Sequence, residues 1–159
     1  MQKVQKEPLS STDLLPLLKN RKNFIGFFPS DQLNSIFVLI EPVFFIVNVD
    51  IAANPGSHWI AVRIGKSTVD IFDSLGFNPN LWNSYPKGFI DFLNRYRNSH
   101  KFYVTPTIQP PNTFYCGLYC VYFVIFRQLL SFKNCLARFS DFNTNNQKLG
   151  SALIKLFSK

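Results

Sequence analysis

One cysteine, one histidine, one aspartate and one glutamine in this sequence carry the groups that acyl transfer by a thiol requires. Cys116 begins a long apolar segment, and Gln109 stands seven residues before it. His58 begins an earlier apolar segment, and Asp73 directly follows the next one. A thiol, an imidazole, a carboxylate and a side-chain amide are the components of a cysteine acyl-transfer site. The sequence therefore indicates this chemistry, provided that the fold brings the four residues together.

Cys116 is the predicted nucleophile. Gly117 and an apolar run follow it, whereas the prolines and asparagine before it favour a loop. We therefore expect Cys116 in the first turn of a buried helix over residues 116–132, where the helix dipole and N–H groups stabilise a thiolate or an oxyanion. The alternative is a buried, inert cysteine, which is the commoner role in an apolar helix. That alternative is preferred for Cys120, and Cys135 is expected to be a structural or surface thiol.

His58 and Asp73 are predicted to lie at one edge of a β-hairpin. His58 begins one strand and Asp73 ends the next, so antiparallel pairing brings both to the same edge, where the acid can hold the imidazole tautomer. An exposed surface histidine and an ordinary strand-end aspartate are the alternatives. Asp70 is a rival acid, but we expect it on the opposite face of the strand. His100 follows a charged helix end and is expected at the surface.

Gln109 could contribute to an oxyanion hole. Its side-chain amide, on the loop that leads to the helix, could donate together with the backbone N–H of Cys116. An exposed loop residue is the alternative. We expect no metal site, because the cysteines and histidines form no paired ligand motif, and no Gly-rich phosphate loop is found.

The apolar periodicity predicts an α+β fold in which helices flank a short, mostly antiparallel mixed sheet. We expect a single domain over residues 1–159, with residues 1–8 loose. The predicted strands cover residues 24–28 (or an extended packing segment), 43–49, 58–64, 68–72 and 101–107. The predicted helices cover residues 14–18, after an N-cap within residues 10–13, and residues 30–37, 86–98, 116–132 and 147–157.

Composition and charge indicate the compartment and the partners of the protein. The chain has 159 residues, 47% of them hydrophobic, and a net charge of +8. This charge indicates either a solvated basic face or attraction to a polyanion such as nucleic acid. Three cysteines cannot form a complete disulfide framework, so we expect a reducing compartment. The start lacks the apolar region of a signal peptide, and residues 114–126 are too few for a membrane span of about 20 residues.

Three segments together resemble the adenovirus protease family, adenain, within the clan that includes the SUMO- and NEDD8-specific proteases. The seven-residue step from glutamine to cysteine is more similar to adenain than to the SUMO proteases. The matching segments are His58-Trp59, Phe72-Asp73-x-x-Gly76-Phe77 and Gln109-x-Pro111-Asn112-Thr113-x-x-Cys116-Gly117-Leu118-x-Cys120. The resemblance covers most of residues 10–130. One departure is Asp73, since adenoviral enzymes usually carry Glu there, although the SUMO-protease branch uses Asp.

The resemblance implies an adenain-like fold with the nucleophile at the N-terminus of a buried helix. It implies a cysteine endopeptidase that cleaves after small residues, often glycine, in virion precursor proteins. Cys116 would attack the carbonyl, His58 would be the general base and then the acid, and Asp73 would orient His58. Gln109 and the Cys116 N–H would hold the oxyanion, and Trp59 would pack beside the imidazole.

The resemblance also bears on regulation, partners and origin. Adenoviral enzymes are activated by DNA and by a viral peptide, in some through a disulfide. Because no cysteine lies between residues 95 and 105, we expect no disulfide-linked activator here, and DNA or a non-covalent peptide stays a candidate. We expect a monomer in a virion or in the host nucleus or cytoplasm, from an adenovirus-like virus or a Polinton-type element. The alternatives are an isopeptidase for ubiquitin-like modifiers and a non-catalytic, basic nucleic-acid-binding module.

Overall fold

A five-stranded mixed sheet runs through the centre of the protein. The computed structural model describes residues 9–49, 58–109 and 114–140. The strands follow one another in space as they do in sequence: β1 (Phe24–Pro29), β2 (Val43–Asn48), β3 (Trp59–Ile64), β4 (Thr68–Phe72) and β5 (Lys101–Val104). The central pairs β2–β3 and β3–β4 are antiparallel, and the outer pairs β1–β2 and β4–β5 are parallel. The α+β class is confirmed, with equal numbers of parallel and antiparallel pairings rather than the expected antiparallel majority.

Helices cover both faces of this sheet, which explains why β2 is apolar from Val43 to Val47. In β2, Phe44 and Ile46 pack on one side, while Phe45 and Val47 pack on the other. A strand alternates its side chains between faces, so burial on both faces demands an unbroken apolar run. The helices are α1 (Ser11–Leu18), α2 (Lys87–Asn94), α3 (Cys116–Arg127) and α4 (Phe132–Ser140), with 3₁₀ helices at Ser30–Ser35 and Pro79–Ser84. Helices α1, α3 and α4 cover one face, and α2 with the 3₁₀ helices covers the other.

Several helix boundaries differ from the sequence prediction. The segment predicted as a helix over residues 30–37 is a 3₁₀ helix that ends at Ser35, and Ser30 lies inside it instead of capping it. The helix predicted over residues 86–98 ends at Asn94, and Pro86 is its N-cap. The predicted C-terminal helix over residues 147–157 and the loose residues 1–8 lie outside the described residues.

The helix predicted over residues 116–132 ends at Arg127, and α4, which was not predicted, begins at Phe132. The guanidinium of Arg127 donates to the carbonyl of Leu130, three residues further along the chain, at 2.9 Å. Ser131 then accepts a hydrogen bond from the N–H of Asn134 at 3.2 Å, as an N-cap does at the start of α4. Apolar periodicity alone hides this break, because Leu129 and Leu130 continue the apolar run between the helices.

Strand β5 is shorter than predicted and ends at Val104. The following residue, Thr105, is buried, and its hydroxyl is hydrogen-bonded to the backbone of Asp73. Pro106 has no N–H with which to extend a ladder of hydrogen bonds. The chain therefore leaves the sheet at the point where β4 also ends.

Helix α1 is anchored at its start and packs against the start of α3. Ser10 and Asp13 form a reciprocal capping box, in which each side chain accepts from the other residue's N–H, at 3.3 and 2.8 Å. Leu14 is fully buried and faces Gly117. A Cβ atom at Gly117 would lie 2.6 Å from Cδ1 of Leu14 and 3.2 Å from Cδ1 of Trp59. Glycine thus lets α1, α3 and β3 meet closely beside Cys116.

We expect Gly117→Ala to destabilise the fold. Overpacking costs about 1–3 kcal/mol, which exceeds the gain of up to about 1 kcal/mol in helix propensity. Urea unfolding should show a lower midpoint, and adding Leu14→Ala should give a double variant that is less unstable than the sum of the two single changes. An unchanged midpoint for Gly117→Ala would contradict the close packing at this point.

Candidate active site

Cys116 is the first residue of α3, as the sequence predicts. Its side chain is almost completely buried, in the core that α1 and α3 form with the sheet. The first N–H groups of an α-helix have no partner within the helix, so they can bind an anion at this end. The thiol therefore lies where a helix favours negative charge on sulfur or on a carbonyl oxygen that the sulfur attacks.

His58 and Asp73 meet at the edge of the hairpin, also as predicted. Antiparallel pairing of Ala61 with Phe72 puts the start of β3 beside the end of β4. His58 Nε2 lies 2.7 Å from Oδ1 of Asp73, and the imidazole also interacts with the side chain of Cys116, which contributes to the raised pKa of His58. Because Asp73 engages Nε2, Nδ1 is the nitrogen left for the thiol. The three side chains form a chain of contacts from carboxylate through imidazole to sulfur.

The surroundings of His58 favour its protonated form. Burial alone lowers the pKa of the imidazole, but its hydrogen bonds to Asp73 and Cys116, together with their negative charges, outweigh burial and raise the pKa to about 9. Asp73 is itself held in place, since its Oδ1 also accepts the N–H of Leu75 at 3.0 Å. An imidazolium that persists at neutral pH is a proton donor already oriented by its acid.

Gln109 is buried, not exposed, and it is hydrogen-bonded to Ser74, the residue that follows Asp73. Ser74 Oγ donates to Gln109 Oε1 at 2.6 Å, and the carbonyl of Ser74 accepts the N–H of Gln109 at 2.7 Å. Both side chains have at most 1% of their surface exposed. Two adjacent residues therefore hold these two groups: Asp73 binds the imidazole of His58, and Ser74 binds the amide of Gln109.

Two residues of this site, Ser74 and Thr105, are absent from the sequence prediction. The hydroxyl of Thr105 accepts the N–H of Asp73 at 2.9 Å and donates to its carbonyl at 2.7 Å, which fixes the backbone of the acid. Neither residue belongs to a recognisable motif. The only sequence signal is the position of Ser74 directly after an acid at a strand end.

The two other cysteines are structural, as predicted for Cys120. Cys120 is fully buried, and its thiol donates to the carbonyl of Trp59 at 3.3 Å. Burial raises the pKa of Cys120 well above its usual value and raises that of Cys135 to about 12. Neither thiol is therefore suited to become a thiolate nucleophile near neutral pH. Trp59 is almost completely buried beside Gly117, and its indole N–H donates to the carbonyl of Leu9 at 3.0 Å.

His100 is not a simple surface residue, although it is remote from the site. It is half-buried, and its ring contacts the Ser99 hydroxyl at 2.8 Å and the Gly65 carbonyl at 3.1 Å. These contacts tie the end of the α2 segment to the hairpin turn between β3 and β4. His100 thus belongs to the end of the hairpin opposite His58.

Asp70 lies far from Cys116 for a reason other than the one we predicted. It does not point away from α3, because Arg127 Nε on α3 donates to its Oδ2 at 2.7 Å. Asp70 is completely buried and pairs with the last residue of α3, whereas Cys116 is the first. A helix rises about 1.5 Å per residue, so roughly 16 Å separates these two positions along α3. Distance along the helix, not strand face, distinguishes Asp70 from Asp73.

Among the residues that the structure describes, no group of three His, Cys, Asp or Glu side chains is arranged to hold a metal ion. Within the same residues, no helix has the length and apolar character needed to cross a membrane.

Comparisons with known proteins do not place this chain in a family. No protein-family model matches the sequence, and no curated protein matches it. The functional assignment therefore depends on the side chains that the fold brings together and on the motif resemblance described above.

We expect the wild-type His58 imidazole to titrate with a midpoint of about 9. Asp73→Asn should lower that midpoint, because burial would then be opposed by one charge fewer. NMR of the ring protons measures both values, with His58→Gln used to assign the resonance. A midpoint near the ordinary value of about 6.5 in the wild type would contradict the contacts seen here.

The raised pKa of His58 also determines how the free energy of unfolding changes with pH. Because the folded-state pKa of about 9 lies above the unfolded value, the stabilisation from His58 is complete below about pH 6.5 and is lost as the pH rises through 9. The free energies of unfolding of wild type and Asp73→Asn should therefore converge between pH 6.5 and 9. A constant difference across this window would contradict the linkage.

Proposed function

We propose that this protein is a cysteine endopeptidase. The observation that carries the proposal is the chain of contacts from Asp73 through His58 to Cys116 at the start of a buried helix. A thiol beside an oriented imidazole is the activated form of a cysteine nucleophile. The motif resemblance to adenain supports the same activity.

In the first half of the reaction, Cys116 forms an acyl-enzyme. The thiolate sulfur attacks the peptide carbonyl carbon, and the C=O π electrons move to oxygen. The backbone N–H of Cys116 and the amide of Gln109 stabilise that oxyanion. As the C–N bond breaks, imidazolium His58 gives its proton to the leaving amine, and a thioester and neutral imidazole result.

In the second half, water hydrolyses the thioester. Neutral His58 takes a proton from the attacking water, and a second tetrahedral intermediate forms on the same carbon. Its collapse expels the sulfur of Cys116 as thiolate and releases the carboxylic acid, so the ion pair with imidazolium His58 is restored. Asp73 keeps Nε2 engaged throughout, which holds Nδ1 toward the sulfur.

The resemblance supports proteins as substrates, with cleavage after small residues such as glycine. Virion precursor proteins are the proposed class, and DNA is a proposed cofactor that the net charge of +8 would attract. An isopeptidase acting on ubiquitin-like modifiers would use the same thiol chemistry. A glycine-containing peptide and a modifier carrying a C-terminal fluorophore therefore separate the two substrate classes.

We expect Cys116→Ala to abolish cleavage of a fluorogenic glycine-containing peptide, assayed with and without duplex DNA. His58→Ala should lower kcat by several orders of magnitude, since catalytic groups act as a unit. Cys135→Ala and His100→Ala are the matched controls, and both should retain cleavage because neither side chain lies at the site. Cleavage by Cys116→Ala, or a greater loss with His100→Ala than with His58→Ala, would contradict the assignment.

A further inference from the structure

Ser74 is a buried hydroxyl that the reaction above does not use. It has no exposed surface, and it follows Asp73 directly in the chain. Its Oγ donates to Oε1 of Gln109 over 2.6 Å, a short and well-formed hydrogen bond between neutral groups. A buried hydroxyl must be satisfied, but an apolar or small residue would fill this position without that requirement.

This hydrogen bond shows which end of the Gln109 amide contacts Ser74. A glutamine side chain can be rotated so that its oxygen and its NH₂ group exchange places. In the structure, Ser74 Oγ donates to the oxygen end of the amide. The amide is consequently held with its donor end directed away from Ser74.

The backbone carbonyl of Ser74 also holds the backbone of Gln109. The carbonyl of Ser74 accepts the N–H groups of both Ile108 and Gln109, at 2.8 and 2.7 Å. Thr107 adds a further contact one residue earlier, where its hydroxyl donates to the carbonyl of Leu75 at 3.0 Å. The segment that carries the amide is thus attached to the turn that carries the catalytic acid.

We propose that Ser74 is a positioning residue that orients the Gln109 amide as an oxyanion donor, so that one dipeptide, Asp73-Ser74, sets both the imidazole and the oxyanion hole. This inference depends on the proposed endopeptidase function and assigns a role within that site. Ser74 touches neither substrate nor sulfur in this scheme. Because it acts only through Gln109, removal of Ser74 should have no effect once the Gln109 side chain is absent.

The test is a double-mutant cycle on Ser74 and Gln109 with a glycine-containing peptide substrate. Removal of an oxyanion donor costs about 10²–10³ in kcat, so Gln109→Ala should fall in that range. Ser74→Ala should lower kcat by about tenfold with little change in KM, because the lost interaction is made in the transition state. In the Gln109→Ala background, Ser74→Ala should have no further effect.

Two controls distinguish positioning from general damage. Ser84→Ala removes a hydroxyl that donates to the carbonyl of Leu81 in the 3₁₀ helix Pro79–Ser84, outside the site, and should leave kcat unchanged. The titration midpoint of His58 should stay at about 9 in Ser74→Ala, since Asp73 and Cys116 are intact. If Ser74→Ala does not fold, Ser74→Cys retains a weaker donor of similar size and should give a kcat between those of wild type and Gln109→Ala.

The possible outcomes separate this inference from the proposed function. Unchanged kcat in Ser74→Ala or Ser74→Cys would overturn the positioning role while leaving the endopeptidase intact. A further loss of kcat in the Gln109→Ala background would also overturn it, because Ser74 would then act by another route. Absence of any Cys116-dependent cleavage by the wild type would overturn the proposed function, and this inference with it.

Discussion

The hydrogen bond between His58 Nε2 and Asp73 Oδ1, at 2.7 Å, is the contact around which this structure is arranged. It joins two residues that lie just outside the paired strands β3 and β4, so it exists only if those strands pair in their observed register. A shift by one residue would exchange the faces of every side chain in the hairpin. The apolar cores on both sides of the sheet therefore fix this register, and with it the relative positions of Asp73 and His58.

Helix α3 supplies the third member of the site mainly through apolar packing on the sheet. Its buried side chains lie on the same face as Trp59 and Phe72, so the helix begins directly above the hairpin edge. Gly117 allows that close approach, and the thiol of Cys120 donates to the Trp59 carbonyl one turn later. The position of Cys116 is thus a consequence of how an apolar helix packs on a strand, and the proposed chemistry uses the end of that helix.

Sequence patterns predicted the residue types of the site and the strands that carry them better than they predicted helix ends. His58, Asp73 and Cys116 could be placed because strand ends and a helix start have clear local signals. Gln109 looked like an exposed loop residue when judged alone, and its burial depends on a partner, Ser74, that is 35 residues away. The end of α3 at Arg127 was missed because Leu129 and Leu130 continue the apolar run, although Ser131, which caps the start of α4, is a polar signal.

The most direct test of the central claim is the rate at which iodoacetamide alkylates each cysteine of the native protein, followed by peptide mass spectrometry. A thiol activated by His58 predicts that Cys116 reacts at least tenfold faster than Cys120 and Cys135, and that His58→Ala removes this advantage. Equal rates at the three thiols, or a fast Cys116 that is unaffected by His58→Ala, would contradict an imidazole-activated nucleophile.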